Sequence, residues 1–123
     1  MADKKILVVD DEEGIRRVLY MSLSESGYRV LTAATGGEAL EIIRNERPAI
    51  VLADILMPGM DGIELLRRIK EENPDTEVIL MTGHVNIESA INTLHYEGSD
   101  FIAKPICYGA LEIMLKRVHE RSG

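Results

Sequence analysis

The feature that most constrains the fold is a regular alternation of short apolar runs with longer segments of helical periodicity. Apolar runs at 5–9, 29–33, 50–53, 77–81 and 100–103 predict strands. Helical patterns follow them at 13–26, 37–45, 63–73, 86–96 and 108–121. Strands separated by helices pair in parallel, with helices on both faces of the sheet. The sequence therefore predicts an α/β fold, a doubly wound five-stranded parallel sheet whose ligand crevice lies at the carboxyl ends of the strands.

Length and composition fit one soluble domain over residues 1–123. The chain is 46% hydrophobic, and its net charge of −7 comes without a basic run, which argues against direct binding of nucleic acid. The lone Cys107 cannot form an internal disulfide, and no leader peptide opens the chain. No apolar stretch approaches the roughly 20 residues of a membrane helix. We therefore expect a cytoplasmic protein with no membrane partner.

Acidic residues and one lysine stand at the ends of three apolar runs. Asp10 and Asp11 follow the first run, Asp54 follows the third and Lys104 follows the fifth. Because parallel strands end at one sheet edge, three carboxylates and one ammonium are expected to converge there. Carboxylates packed this closely repel one another unless a hard divalent cation lies among them. The pattern predicts a Mg²⁺ site in which Asp11 and Asp54 each give one oxygen and Asp10 holds a coordinated water.

Asp54 is the best placed nucleophile, because it stands at the very end of its run beside an open loop. Lys104 is placed to hold a phosphoryl oxygen, and Thr82, after the fourth run, to donate its hydroxyl. The plainer alternatives are that the acids before the first helix are turn residues and that Thr82 is an ordinary strand-end hydroxyl. The combination of acids and lysine favours a functional site.

Four segments carry a more specific pattern. They are Ile6-Leu7-Val8-Val9-Asp10-Asp11-Glu12, Asp54-Ile55-Leu56-Met57-Pro58-Gly59-Met60-Asp61-Gly62, Met81-Thr82-Gly83-His84 and Asp100-Phe101-Ile102-Ala103-Lys104-Pro105. In order and separation they resemble the receiver domains of two-component response regulators, over the whole chain. The resemblance implies a flavodoxin-like (βα)5 fold with strand order 2-1-3-4-5 and a cis peptide bond between Lys104 and Pro105. It also implies phosphorylation of Asp54 and Mg²⁺ held by Asp11, Asp54 and the backbone carbonyl of Leu56.

The resemblance further implies a conformational switch formed by Thr82 and Phe101. A phosphoryl group adds close to two negative charges, and new hydrogen bonds draw Thr82 toward it. Phe101 then turns inward into the space behind the threonine. Leu56 and His84 flank the expected position of the phosphoryl group, where we expect them to exclude water and slow dephosphorylation.

An apolar surface beside the crevice indicates where a phosphodonor binds. Ile15 and Val18 in the first helix, with Pro105 and Ile106 after the last strand, resemble the patch that receivers use for docking. The expected partner is the helical bundle of a sensor histidine kinase or a histidine phosphotransfer protein. Such a protein assists its own phosphorylation and is not a turnover enzyme.

The output surface is expected on the last helices of the fold. The helix at 86–96, the strand at 100–103 and the helix at 108–121 are the predicted contacts with an effector domain or with a second copy of the chain. Two possibilities stay open for residues 1–123. They form either a single-domain relay protein or the N-terminal part of a longer regulator of transcription.

Two other functions are compatible with an acidic crevice. A magnesium-dependent phosphatase of the haloacid dehalogenase type also uses an aspartyl phosphate, but it needs a second aspartate two residues after its nucleophile. Counted from Asp10, that position holds Glu12. A pseudo-receiver, which binds partners without phosphorylation, is disfavoured by the presence of both Asp54 and Lys104.

Overall fold

The computed structural model describes residues 4–83 and 99–122, which form a parallel sheet covered by helices. The strands are β1 (Lys5–Val9), β2 (Arg29–Ala33), β3 (Ile50–Asp54), β4 (Glu77–Thr82) and β5 (Ser99–Ala103). The described helices are α1 (Glu13–Glu25), α2 (Gly36–Glu46), α3 (Gly62–Glu72) and the C-terminal helix (Tyr108–Ser122). The predicted helix at 86–96 lies outside the described residues. Within the described ranges, no helix is long and apolar enough to cross a membrane.

Strand pairing confirms the predicted fold class and strand order. All neighbouring strands are parallel, in the order β2-β1-β3-β4-β5. Val9 at the end of β1 is opposite both Ala33 and Ala53, and Thr82 at the end of β4 is opposite Ala103. The segments that follow β1, β3 and β5 therefore leave the sheet at the same edge.

Burial on both faces explains why the apolar runs are uninterrupted. Leu7 and Val9 of β1 pack in the core shared with α2 and α3, whereas Ile6 and Val8 pack in the core shared with α1 and the C-terminal helix. All four side chains are fully buried. Each contributes roughly 1.5–3 kcal/mol of hydrophobic free energy. The two cores hold the strand ends, and with them the polar residues that follow.

Side-chain caps fix the first turns of α2 and α3 at the crevice edge. Thr35 Oγ1 accepts a hydrogen bond from the Glu38 amide at 3.1 Å, and Glu38 Oε1 accepts one from the Ala34 amide at 3.1 Å. Asp61 Oδ1 accepts a hydrogen bond from the Glu64 amide at 2.8 Å. A cap of this kind stabilises a helix by about 1 kcal/mol. The loops that reach these helices are therefore anchored at their ends.

Candidate functional site

Three carboxylates meet at the carboxyl edge of the sheet, as the sequence predicts. Asp10 and Asp11 follow β1 and Asp54 ends β3. One oxygen of each residue lies within 4.8 Å of one oxygen of each of the others. Asp10 is fully buried, Asp54 is 6% exposed and Asp11 is exposed. The cluster therefore has two buried members and one member open to solvent.

Lys104 joins the two buried carboxylates. Its Nζ donates to Asp10 Oδ2 at 3.0 Å and to Asp54 Oδ2 at 2.9 Å. Its backbone amide donates to the carbonyl of Thr82 at 2.8 Å, and the peptide bond from Lys104 to Pro105 is cis. Burial by itself lowers the pKa of Lys104, but the hydrogen bonds to Asp54 and Asp10 outweigh it, so the pKa is raised above its usual value. The ammonium is therefore charged throughout the physiological range.

The second oxygen of each buried carboxylate is held by the main chain. The Glu12 amide donates to Asp10 Oδ1 at 2.9 Å, and the Leu56 amide donates to Asp54 Oδ1 at 3.2 Å. Each buried carboxylate thus lies between a backbone amide and the Lys104 ammonium, which fixes its orientation. The local i to i+2 spacing of both bonds is typical of aspartate in turns, and this signal was readable in the sequence.

Arg16 is a residue of the site that the sequence analysis missed. Its Nη1 donates to the backbone carbonyl of Asp10 at 2.7 Å, while the Asp10 amide donates to the Ala33 carbonyl at 3.1 Å. Both main-chain groups of Asp10 are therefore satisfied. The available signal in the sequence was a basic residue in the first turns of the helix that follows Asp10 and Asp11. The spacing between Arg16 and these acids did not indicate that Arg16 bonds a backbone carbonyl.

Gly62 permits the close approach of α3 to the end of β3. A β-carbon at this position would lie 2.8 Å from Ile55 Cα and 2.9 Å from the carbonyl carbon of Asp54. Backbone atoms cannot rotate away, so a side chain here requires a shift of the main chain that carries Asp54. The Gly62 amide also donates to the Ile55 carbonyl at 2.9 Å. Gly62 therefore determines where Asp54 sits.

Thr82 and Phe101 lie on the same face of the sheet. Phe101 is opposite Leu80, and Thr82 is two positions beyond Leu80 on β4. Because side chains alternate along a strand, Leu80 and Thr82 share a face with Phe101. Phe101 is half-buried and packs against the core formed with α2 and α3. A packing change between Thr82 and Phe101 therefore involves Leu80, which is fully buried.

Leu56 and His84 are the two residues that the sequence predicts to slow dephosphorylation. His84 lies outside the described residues, and Leu56 is 52% exposed.

The four predicted docking residues line one groove beside the acidic cluster. Ile15 and Val18 of α1 form one wall, and Pro105 and Ile106 form the other. The groove encloses about 700 Å³, and the remaining lining residues are Glu12, Gly14, Leu19, Lys104 and Tyr108. Val18 is 47% exposed. The groove is largely apolar, and Lys104 connects it to Asp54.

Comparison with known proteins agrees with this geometry. The sequence profile described as the response regulator receiver domain matches residues 6–116. The chain belongs to the receiver domain family of response regulators. The receiver assignment of the sequence analysis is thereby confirmed, and the haloacid dehalogenase alternative is not supported.

Individual relatives carry the same fold in different settings. The probable transcriptional regulator ycf27 of Porphyridium aerugineum is 38% identical over 121 residues, which cover 98% of this chain and 50% of that protein. The sporulation initiation phosphotransferase F of Bacillus subtilis is 40% identical over 105 residues, or 85% of each chain. The receiver domain of NtrX from Brucella abortus superposes with a TM-score of 0.86 at 38% identity, covering 94% of this chain and 98% of that one. The chain spans about half the length of the first curated relatives it matches.

Proposed function

We propose that the chain is a phosphorylation-dependent signalling switch whose phosphoacceptor is Asp54. The observation that carries the proposal is the pair of contacts from Lys104 Nζ to Asp10 and Asp54 at 3.0 and 2.9 Å. A buried ammonium bonded to the acceptor carboxylate is placed to stay with the phosphoryl oxygens once the carboxylate is esterified. Asp54 stands at the end of a buried strand with 6% exposure, which limits the access of water to its acyl phosphate.

The proposed chemistry is a phosphoryl transfer from a phosphohistidine. A carboxylate oxygen of Asp54 attacks phosphorus, and the phosphorus–nitrogen bond of the phosphohistidine breaks. The electron pair stays on the imidazole nitrogen, which takes up a proton, and an acyl phosphate forms on Asp54. The Leu56 amide, 3.2 Å from Asp54 Oδ1, orients the carboxylate for this attack. Because the modified group belongs to the protein itself, the chain is not a turnover enzyme.

The donor set of the acidic cluster fits Mg²⁺. Three carboxylates against one ammonium leave two negative charges, which a divalent cation neutralises, and all donors are hard oxygens. Asp10, Asp11, Asp54 and the carbonyl of Leu56 are the proposed holders. When bound, the ion supplies positive charge that offsets the charge of the incoming phosphoryl group.

Thr82 and Phe101 are the proposed switch. Thr82 ends the strand next to Asp54, so its hydroxyl is proposed to donate to a phosphoryl oxygen after transfer. The shared sheet face of Thr82, Leu80 and Phe101 lets a movement of the threonine change the packing of the aromatic ring. The two states need to differ by only a few kcal/mol for phosphorylation to shift their populations. Leu56 and His84 are proposed to slow the loss of the phosphoryl group.

The groove beside Lys104 is the proposed docking site for the phosphodonor. Its wall residues Ile15, Val18, Pro105 and Ile106 are apolar, and an amphipathic helix binds such a groove through its apolar face. The proposed partner is the helical bundle of a histidine kinase or of a histidine phosphotransfer protein. The groove reaches Lys104, so a histidine on the docked helix faces the Asp54 pocket.

The proposed output is regulation of transcription through a further domain, or relay to another protein through a single-domain receiver. The first curated relatives, named as probable transcriptional regulators, are about twice as long as the matched segment. Contacts with an effector or a second copy are proposed for β5, the C-terminal helix and the segment 86–96. A cytoplasmic location is proposed because Cys107 is an exposed free thiol.

Phosphorylation by a small donor tests the proposal. The protein is incubated with acetyl phosphate and MgCl2, and the modified residue is located by peptide mass spectrometry. We expect one phosphoryl group on Asp54, lost in Asp54→Asn and retained in Asp61→Asn, which changes an exposed acid of the same loop. Modification of Asp10 would indicate a phosphatase of the haloacid dehalogenase type. No modification would indicate a pseudo-receiver.

A further inference from the structure

We infer that Gly36 and Met60 act as a pair that positions the loop carrying the metal-holding carbonyl of Leu56. The inference rests on the proposed function, because it concerns the same acidic cluster. Gly36 is the first residue of α2 and is buried, whereas Met60 belongs to the loop between β3 and α3. A β-carbon at Gly36 would lie 2.8 Å from Met60 Sδ, 3.0 Å from its Cβ and 3.1 Å from its Cγ. The missing side chain of Gly36 is therefore the space that Met60 fills.

The contact connects the two parts of the chain that supply the acidic cluster. On one side, the first turn of α2 is held by the Thr35 and Glu38 caps and follows β2 directly. The end of β2 is bonded to the end of β1 by the Asp10 amide and the Ala33 carbonyl, 3.1 Å apart. On the other side, Met60 lies four residues after Leu56. Met60 thus reaches from the loop that follows Asp54 to the helix that follows β2, the strand whose end is bonded to Asp10.

The base of the loop is fixed independently of Met60. The Gly62 amide bonds to the Ile55 carbonyl at 2.9 Å, and Asp61 caps α3. A displacement of Met60 cannot spread into β3 or α3 and is taken up between these two anchors, by the segment 56–60. That segment carries the Leu56 carbonyl.

A methyl group at Gly36 cannot be accommodated by side-chain rotation alone. Rotation about the outer bonds of Met60 moves Sδ away, but the Met60 Cβ at 3.0 Å is attached to the backbone. The loop backbone therefore shifts by a few tenths of an ångström. Mg²⁺ requires near-ideal octahedral geometry at about 2.0–2.1 Å from its ligands, so its affinity responds to shifts of this size. Gly36 and Met60 are positioning residues, since neither belongs to the acidic cluster.

The neighbouring glycine provides a matched control. Gly37 also lies in the first turn of α2, but a β-carbon there would have nothing within 4 Å. Gly36→Ala and Gly37→Ala make the same chemical change and raise helix propensity equally. A difference between them reports the Met60 contact.

The experiment compares five proteins, namely the wild type, Gly36→Ala, Gly37→Ala, Met60→Gly and the double variant Gly36→Ala/Met60→Gly. The Mg²⁺ dissociation constant is measured by amide chemical shifts during titration with MgCl2. Phosphorylation rates with acetyl phosphate are measured at low and saturating MgCl2.

We expect Gly36→Ala to weaken Mg²⁺ binding about three- to tenfold. The phosphorylation rate should be restored at saturating MgCl2, because the shift of the loop backbone is small. Gly37→Ala is expected to match the wild type. Without metal, the amide signals of Leu56, Met57, Gly59 and Met60 shift in Gly36→Ala and not in Gly37→Ala.

The double variant decides whether Met60 mediates the effect. Met60→Gly removes the Sδ, Cγ and Cβ atoms that a methyl group at Gly36 would meet, so in this background Gly36→Ala should weaken binding no further. Equal weakening in both backgrounds, or identical behaviour of the two glycine variants, overturns the inference. If Gly36→Ala alone does not fold, the double variant must fold and bind like Met60→Gly, and its failure to do so also overturns the inference. A wild type that binds no Mg²⁺ and takes no phosphoryl group refutes the proposed function instead.

Discussion

The ammonium of Lys104 lies 2.9 Å from Oδ2 of Asp54, although the two residues are 50 positions apart. The same ammonium bonds Asp10, so one cation serves two buried anions. Removal of the cation leaves the two carboxylates facing each other without compensation. The contact thus contributes to the stability of the protein as well as to its proposed chemistry.

Lys104→Met should destabilise the protein in the absence of metal. The buried carboxylates lose their only described cationic partner, and we expect a loss of roughly 2 kcal/mol, less than for a fully buried pair because the Lys104 side chain is 18% exposed. Urea unfolding with EDTA measures the change. Lys5→Met is the control, since its 3.3 Å pair with Glu46 is more exposed and should contribute no more than about 1 kcal/mol. Equal losses in the two variants would contradict this account of the site.

The stabilisation by Lys104 should depend on pH only in the alkaline range. The pKa of Lys104 is raised in the folded protein, because its hydrogen bonds to Asp54 and Asp10 outweigh the opposing effect of burial. A raised pKa means that the folded state binds the proton more tightly than the unfolded state. The contribution is fully present below the ordinary value of 10.5 and is lost as pH rises through the folded pKa. The difference in unfolding free energy between wild type and Lys104→Met should therefore stay constant from about pH 7 to about pH 9.

Asp11→Asn should weaken Mg²⁺ binding while leaving the fold intact. Asp11 is the exposed member of the cluster, so its substitution buries no unpaired group. We expect about a tenfold rise in the dissociation constant, judged from the 10- to 100-fold effects of changing groups around metal sites. Thermal unfolding with and without MgCl2 reports binding, since MgCl2 at ten times its dissociation constant stabilises by about 1.4 kcal/mol. Glu13→Gln changes a nearby acid outside the cluster and should retain the full metal response. A normal response in Asp11→Asn would exclude it as a ligand.

Gly62→Ala should disturb both stability and phosphorylation. The new methyl group contacts the backbone of Asp54 and Ile55, and backbone atoms cannot move away by a change of rotamer. We expect the free energy of unfolding to fall by about 2–3 kcal/mol, which is typical of overpacking. Acetyl phosphate labelling of the folded fraction should slow as well, because Asp54 is displaced. Gly109→Ala, at an open position near the start of the C-terminal helix, is the control and should be neutral or slightly stabilising. A stable Gly62→Ala with normal labelling would refute the positioning role.

Val18→Glu should impair transfer from a protein donor and spare transfer from a small molecule. A charge in the apolar groove opposes helix docking, and we expect at least about a tenfold slower transfer from a phosphohistidine protein that phosphorylates the wild type. Labelling by acetyl phosphate should be unchanged. Met21→Glu, on the same helix at 57% exposure and outside the groove, controls for the added charge. Equal impairment by both variants would point to general electrostatics instead of docking.

The sequence was sufficient to predict the fold and the convergence of charged residues. The carboxyl ends of parallel strands lie at one edge of the sheet. Because Asp54 and Lys104 each stand at the end of an apolar run, assigning those runs to parallel strands predicts that the two residues lie close together. Strand order needed the family resemblance, since apolar runs carry no information about which neighbours pair.

Contacts that depend on three-dimensional packing could not be predicted. The bond from Arg16 to the Asp10 carbonyl depends on where α1 lies over the sheet. The approach of Met60 to Gly36 joins a loop to the start of α2, and no local sequence pattern encodes their relative position. Val18 and Leu19 are adjacent apolar residues of α1, yet Val18 is 47% exposed and Leu19 only 1%. The side chains of adjacent helical residues point in directions about 100° apart around the helix axis. A small rotation of the helix about that axis therefore decides which of the two packs against the sheet.

The bond between Lys104 and Asp10 joins residues 94 positions apart. Neither of the two buried carboxylates, Asp10 and Asp54, contacts the Lys104 ammonium until β5 has paired with β4. β5 is the last strand of the sheet to leave the ribosome. A nascent chain that ends before this point carries the full cluster of acids without the ammonium. Closing so long a loop is among the slower steps in forming a parallel sheet. Competence for the proposed phosphorylation is therefore expected only after the last strand of the sheet has been synthesised and paired.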